Sequence, residues 1–439
     1  MPRLDTLMTD DLRAFRRQAG DRHTAFKARG LKLDSTRGKP SPEQLDLSNA
    51  LLDLPGTDGF KAQDGGDCRN YLGDVRGLPE ARALFAPMLG APAEQMLVGG
   101  NSSLTLMHDV IVFALLHGVP DGTGSWSAPS TSAGAPVSFL CPVPGYDRHF
   151  SICEGFGIRL VPVPLTGHGP DMDVVERLVA EDPGIKGMWC VPKYSNPTAE
   201  TYSDETVERL AAMRTAAPDF RLFWDNAYAV HHLTDRPHQL ADILAACARH
   251  GHANRPFVFG STSKVTFAGA GLSLFAGSAA NLDWARKHLS RQSIGPDKLN
   301  QLRHVRLLRD MAGIAALMER HREILVPKFQ RVQAVFAEHL DGAGVARWTE
   351  PEGGYFISLD VRPGSARRVV TLAQEAGVAM VAPGATFPYG KDPQDQNIRI
   401  APTFPALPEV GLAAEGVALS VLVATSEAIL AERESHSGH

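Results

Sequence analysis

Long apolar runs, paired cysteines and blocks of one charge are scarce in this sequence. No run is read as reaching the roughly 20 apolar residues that cross a bilayer, so no membrane span is expected. The opening stretch, MPRLDTLMTDDLRAFRRQAG, is charged throughout and holds no apolar centre, which argues against a secretory leader. Cys68, Cys141, Cys153, Cys190 and Cys247 are scattered, odd in number and never in C-x-x-C spacing. A disulfide framework is therefore not expected, and reduced thiols in a cytoplasmic protein are. His231 and His232 are adjacent and cannot share a helix face as i, i+4 ligands do, so no metal site is expected. With a net charge of -5 and no Lys/Arg cluster, there is no footprint for nucleic acid or an anionic membrane.

What is present is an ordinary globular composition, 44% hydrophobic and 21% charged, in 439 residues. That length favours more than one core. Residues 9–29 carry an amphipathic helical pattern, followed by an irregular stretch, DSTRGKPSPEQLDLSN. From about residue 70, helical stretches alternate with apolar runs: QMLVG (95–99), VSFLC (137–141), IRLVPV (158–163), GMWCV (187–191), RLFWD (221–225), FVFG (257–260) and LSLFAG (272–277). Near-continuous apolar strands with helices between them predict a mostly parallel sheet covered on both faces, an α/β fold. A helical region covers 282–340, and hairpin-like pieces follow, VARWTEPEGGYFISLDV and NIRIAPTF. The expected organisation is a large domain over 51–300 and a small α/β domain over 301–439, joined by the N-terminal segment 1–50. VPDGTGSWSAPSTSAGAP (119–136) is expected to be a surface loop. No internal repeat is found.

In sheets of this kind ligands gather at the carboxyl ends of the strands. Four motifs fall there. In FWDNAY, Asp225 follows a strand directly and Tyr228 comes three residues on. Such an acid is most often a helix N-cap, but it can also pair with a protonated ring nitrogen, with Tyr228 beside it. In GGNSSLTLMHD, a glycine pair leads into Ser102 and Ser103 at a helix start, where free N–H groups suit a phosphate as well as a cap. In VPKYSNPTAE, Asn196 stands in a turn that is either a plain loop or an amide aimed into a cleft. In FGSTSKVTFAGAGLS, Lys264 lies among hydroxyls, with Ser261 and Ser263 as phosphate donors. Burial among Phe267, Ala268 and Ala270 would lower its pKa and make it nucleophilic.

The ordered set PGYDRH, SNPTA, WDNAY, STSK and IRIAP resembles the fold type I, class I aminotransferases that depend on pyridoxal 5'-phosphate, over nearly the whole chain. TRGKPSPEQLDLSN, GGNSSLTLMHD and TSKVTFAGAG are similar to the bacterial aspartate aminotransferase branch. The resemblance implies that Lys264 is the Schiff-base lysine and the acid/base of the reaction. It implies that Asp225 partners the ring nitrogen, with His149 behind it, and that Tyr228 and Asn196 serve the ring's phenolic oxygen. Tyr146 would stack on the ring, and Ser102, Ser103, Ser261 and Ser263 would bind the phosphate. Tyr71, in RNYLGD, would reach the phosphate of a neighbouring subunit, which implies a homodimer with shared sites. Arg399, in NIRIAP, would take the substrate α-carboxylate together with the backbone of Gly38 and Asn196 beside it.

The chain departs from the family in one respect. The arginine that usually follows the lysine by eight to ten residues is missing from VTFAGAGLSLFAG. The expected substrates are small amino acids and 2-oxo acids, with aspartate and 2-oxoglutarate favoured. A distal carboxylate needs a second cation, and Arg37 is preferred over Lys39, Arg291 and Lys298, each of which is otherwise a solvated charge. Extended backbone would send Arg37 and Lys39 to opposite sides. The alternatives are an aromatic or α-aminoadipate donor, or a same-fold aspartate β-decarboxylase. A regulator with a winged helix-turn-helix is disfavoured, because only about forty residues precede the region of resemblance.

Overall fold

The computed structural model describes residues 2–71, 73–127 and 136–437. Its centre is a seven-stranded sheet in the order β2-β8-β7-β6-β5-β3-β4. The strands are β2 (Met96–Val98), β3 (Ser138–Val143), β4 (Arg159–Pro164), β5 (Ile185–Cys190), β6 (Arg221–Asp225), β7 (Pro256–Ser261) and β8 (Ser273–Ala276). All adjacent pairs from β7 to β4 are parallel, and β8 runs against both of its neighbours. Each apolar run picked out of the sequence is one of these strands.

The strands read as continuous apolar runs because both faces of the sheet are covered. Leu222 and Trp224 of β6 pack into one core and Phe223 into the other. Val258 of β7 likewise faces away from Phe257 and Phe259. The first face is covered by α3 (Pro79–Leu89), α6 (Met172–Glu181), α7 (Asp204–Ala212), α8 (Ile243–Arg249) and α10 (Lys298–Leu308). The second is covered by α4 (Ser103–His117), α5 (Asp147–Gly155) and α9 (Ala279–Gln292). Aromatic rings dominate the second core, Phe139, Trp189, Phe223 and Phe257 meeting edge-on or tilted.

A further core is built from both ends of the chain. It contains α1 (Thr9–Lys27), α12 (Ala366–Glu375), α13 (Leu407–Ser437) and most of α11 (Met311–Leu340). Two small sheets line it. β9 (Ala346–Trp348), β10 (Ile357–Val361) and β12 (Asn397–Ile400) pair antiparallel, and β1 (Leu33–Asp34) pairs parallel with β11 (Val378–Ala379). The helical region expected over 282–340 is three helices, α9 to α11. Ile314, Leu317 and Met318 of α11 pack with the large sheet, while Leu325 onward packs in the other core.

Three sequence expectations need correction. α13 is long and apolar enough to cross a membrane, but 72% of its apolar window is buried against the rest of the fold. The irregular stretch after α1 contains α2 (Pro42–Asp46), started by a capping box between Ser41 and Gln44. The expected surface loop at 119–136 lies partly outside the described residues, and its Trp126 is buried, donating from Nε1 to Asp219 at 2.9 Å. All five cysteines are buried and free.

Candidate active site

The carboxyl ends of β2, β3, β5, β6 and β7 open into one cleft of about 590 Å³, closed on its other side by the strap Thr36–Lys39, Phe356 and Arg399. Its size suits a small organic ligand. Ser102, Ser103, Tyr146, Asn196, Asp225, Tyr228, Ser261, Ser263, Lys264 and Arg399 all line it, as do Gly38 and Arg37. Parallel strands explain the convergence: the residues just past consecutive strand ends meet although they lie far apart in sequence.

At the cleft's base, Asp225 is 3% exposed and its Oδ2 lies 3.0 Å from His149 Nε2. His149 is itself held by stacking on Trp189, with ring centroids 4.1 Å apart and planes within 5°. Asp225 Oδ1 is buried with no hydrogen-bond partner among the described residues. A buried carboxylate oxygen left unpaired is costly, so this oxygen is suited to a donor borne by a ligand. Tyr146 packs edge-on to His149, 4.9 Å between centroids.

Lys264 Nζ lies 5.2 Å from the ring centre of Tyr228 and 5.9 Å from that of Tyr355. Burial holds the Lys264 pKa below the usual lysine value, and Asp225 opposes the shift. Direction and cause are the expected ones, but two of the neighbours named from the sequence do not provide the burial. Ala268 and Ala270 are exposed, and the rings of Tyr228 and Tyr355, distant in sequence, surround the amine. Burial raises the Tyr228 phenol well above its ordinary pKa and keeps it a neutral hydroxyl.

At the other end, the helix start of α4 presents Ser102 and Ser103, with Ser102 Oγ capping Leu104 N at 3.3 Å. Ser261 and Ser263 line the same cleft. The positions where the family arginine is missing, Leu272, Ser273 and Leu274, are all buried. Among the described lining residues the cations are Arg37, Lys39, Arg148, Lys264 and Arg399.

Arg399 comes from β12 and is 8% exposed. One of its guanidinium nitrogens donates to Asp147 Oδ1 at 2.9 Å and to Asn196 Oδ1 at 3.4 Å, while its Nε is buried without a partner. Its guanidinium sits 4.9 Å from the Phe356 ring centre. Gly38 packs against that same ring so closely that any Cβ would collide with it. Both Arg37 and Lys39 line the cleft, contrary to the expected alternation, because the strap is not a strand. The Lys39 ammonium, however, is drawn over the Phe404 ring at 3.7 Å, which leaves Arg37 as the strap's guanidinium.

Three expected residues lie elsewhere. Arg291 and Lys298 do not line the cleft; Lys298 is 6% exposed, and Asp74 acts on its charge. Tyr71 is 83% exposed on the surface of the chain. Asp147, Arg148, Tyr355 and Phe356 escaped the sequence reading. The first two stand inside PGYDRH and the last two inside EGGYF, so the motifs carried them without marking a role.

The aspartate amino-transferase family matches this chain over residues 7–433. An aspartate aminotransferase of Corynebacterium glutamicum is 50% identical over 402 residues, covering 92% of this chain and 91% of that protein. The crystal structure of an aspartate transaminase from Corynebacterium glutamicum superposes with a TM-score of 0.94 at 47% identity, over 97% of this chain and 99% of that one. The α-aminoadipate aminotransferase LysN of Thermus thermophilus, complexed with N-(5'-phosphopyridoxyl)-L-leucine, shares the fold at 20% identity, with a TM-score of 0.71 over 94% and 98% of the two chains. The chain belongs to the aspartate amino-transferase family, and it has the fold type I architecture of its structural neighbours.

Proposed function

We propose that the protein is an aspartate aminotransferase that uses pyridoxal 5'-phosphate to pass the amino group of aspartate to 2-oxoglutarate. The observation that carries this reading is the unpaired, buried Asp225 Oδ1 in the same cleft as a desolvated Lys264. The cofactor, when bound, supplies an aldehyde carbon that takes the amino group and a protonated ring that draws electrons from the substrate. Lys264 would hold the aldehyde carbon, Asp225 Oδ1 the ring N–H, and Tyr228 with Asn196 the phenolic oxygen. Tyr146 would cover the ring. Ser102, Ser103, Ser261, Ser263 and the N-terminus of α4 would hold the phosphate with neutral donors in place of the missing arginine.

The chain's own groups then have distinct tasks. Arg399 binds the α-carboxylate with its planar fork, exchanging part of its contact with Asp147 for the substrate. The Gly38 backbone, pressed against Phe356, closes over the same carboxylate and excludes water. Lys264 Nζ, whose pKa burial lowers from the usual lysine value, moves the proton at the substrate α-carbon. His149 fixes Asp225 by occupying its other oxygen. A homodimer with shared sites is part of the proposal, supported by the exposure of Tyr71 away from its own chain's cleft. So is a cytoplasmic location, supported by five unpaired cysteines.

The test is an amino-donor screen on cofactor-loaded protein. Aspartate with 2-oxoglutarate should yield oxaloacetate and glutamate faster than any aromatic or α-aminoadipate donor. Release of alanine from aspartate as the main product would replace transamination with β-decarboxylation.

Arg37 is proposed to bind the distal carboxylate. Removing a charged partner from a desolvated contact costs roughly 2–5 kcal/mol. Arg37→Ala should therefore depress kcat/KM for aspartate at least tenfold more than for alanine or phenylalanine, allowing about 1.4 kcal/mol per decade. Equal losses across charged and uncharged donors would transfer the role to Arg148, which also lines the cleft.

A further inference from the structure

We propose that Gln44 is a positioning residue that couples the Thr36–Lys39 strap to the backbone of Lys264 through His321. Gln44 sits in α2, fully buried, and each of its polar atoms has a partner. Its Oε1 accepts from Ser41 N at 3.1 Å, and its Nε2 donates to His321 Nδ1 at 2.9 Å and to the Tyr355 hydroxyl at 3.1 Å. His321 in turn lies with Nε2 3.0 Å from the carbonyl oxygen of Val265, the residue after Lys264. A carbonyl can only accept, so Nε2 carries the proton and Nδ1 is the acceptor Gln44 requires. Burial pushes His321 down to about 4, so the neutral ring that this chain of bonds demands is the one present at neutral pH.

The geometry ties two parts of the cleft that are far apart in sequence. Ser41 closes the strap that carries Arg37 and Gly38. Tyr355, the third partner of Gln44, is one of the two rings that surround Lys264 Nζ. The strap is also pinned a second time. Lys39 O accepts from Thr403 Oγ1 at 3.1 Å, and Thr403 O accepts from buried Lys328 Nζ at 2.9 Å. His321 and Lys328 both belong to α11, seven residues or about 10 Å apart along its axis. The two anchors lie on one helix, on either side of Pro327, and a shift of the strap is passed along it to the turn that presents Lys264. A satisfied, buried polar network of this kind specifies one arrangement, because any break leaves an unpaired group behind. None of Gln44, His321 or Lys328 lines the cleft, so their action is through the residues they hold. The consequence for substrate binding rests on the function proposed above; the coupling itself does not.

Hydrogen–deuterium exchange of the full chain without substrate tests the coupling directly. Gln44→Leu should speed exchange about tenfold in peptides over 36–41 and, at a distance in sequence, over 262–268. His321→Leu should give the same two-segment pattern from the other end. Gln44→Glu keeps the shape and the acceptor for Ser41 N but loses the donor to His321, and serves if either leucine protein fails to fold. In this variant KM for aspartate should also rise about tenfold. Faster exchange confined to the segment that the substituted residue contacts directly, 36–41 for Gln44 and 262–268 for His321, with the other segment unchanged, would overturn the proposal. If transamination is absent from the parent protein and the two-segment pattern is still seen, the functional reading fails and the coupling stands.

Discussion

Lys264→Ala is expected to lower turnover of aspartate with 2-oxoglutarate by on the order of 10⁴-fold, because in the proposed function one substitution would remove both the cofactor's covalent anchor and the group that moves the α-proton. The parent protein, loaded with pyridoxal 5'-phosphate, should be yellow. Borohydride should abolish the visible band and fix the cofactor's mass on the peptide containing residue 264. In Lys264→Ala neither the fixed mass nor the parent's band should survive. The fold should, since Lys264 follows β7 in a short turn and its side chain projects into the cleft rather than into either core. A reducible band of the same kind in the alanine protein would remove Lys264 from the mechanism.

Asp225→Ala should be nearly as damaging. Breaking a buried charged pair costs roughly 3–5 kcal/mol, which corresponds to a fall in kcat of roughly 10²- to 10⁴-fold. Here the loss falls on the electron sink, because the ring nitrogen is left with no anion beside it. His149 also loses the partner that its stacking on Trp189 aims it at. Circular dichroism of the variant should match the parent, since Asp225 is the last residue of β6 and its side chain faces the cleft. A well-folded Asp225→Ala protein with near-normal kcat would show that the ring nitrogen is not held here. Asp225→Asn should be intermediate at most, keeping a hydrogen-bond acceptor but not the charge.

The strands and the cleft floor were readable from sequence for one physical reason. A strand buried on both faces carries a nearly continuous apolar run, so the first polar residue after that run marks its carboxyl end, which is where a doubly covered sheet binds ligands. RLFWD and RPFVFGSTSK show both signals in consecutive residues, and Asp225 and Lys264 follow from them. The cleft's other wall was not readable in this way. Phe356 and Tyr355 act through contacts with Gly38, Arg399 and Lys264, partners tens to hundreds of residues away in sequence, and no local spacing encodes such meetings. For the same reason the sequence shows that Lys264 is buried but not that Tyr228 and Tyr355 help to bury it, while Ala268 and Ala270 are exposed. The capping box in SPEQ was legible in principle, since Ser and Gln stand three apart, but the prolines around it read as an irregular segment. Arg37 and Lys39 illustrate a further limit: alternation applies to strands, and a bent strap has no such rule to follow.

The division of α11 between two cores has a thermodynamic consequence. Its first turns contribute Ile314, Leu317 and Met318 to the packing of the large sheet, and its later turns contribute Leu325, Phe329, Val332 and Phe336 to the other core. Heat or denaturant that melts either core strips a helix of partners it needs on the other side. An isolated short helix is marginal in water, so neither half of α11 persists alone once its packing is gone. The two cores therefore melt in a single cooperative transition, and a chain cut within α11 loses both.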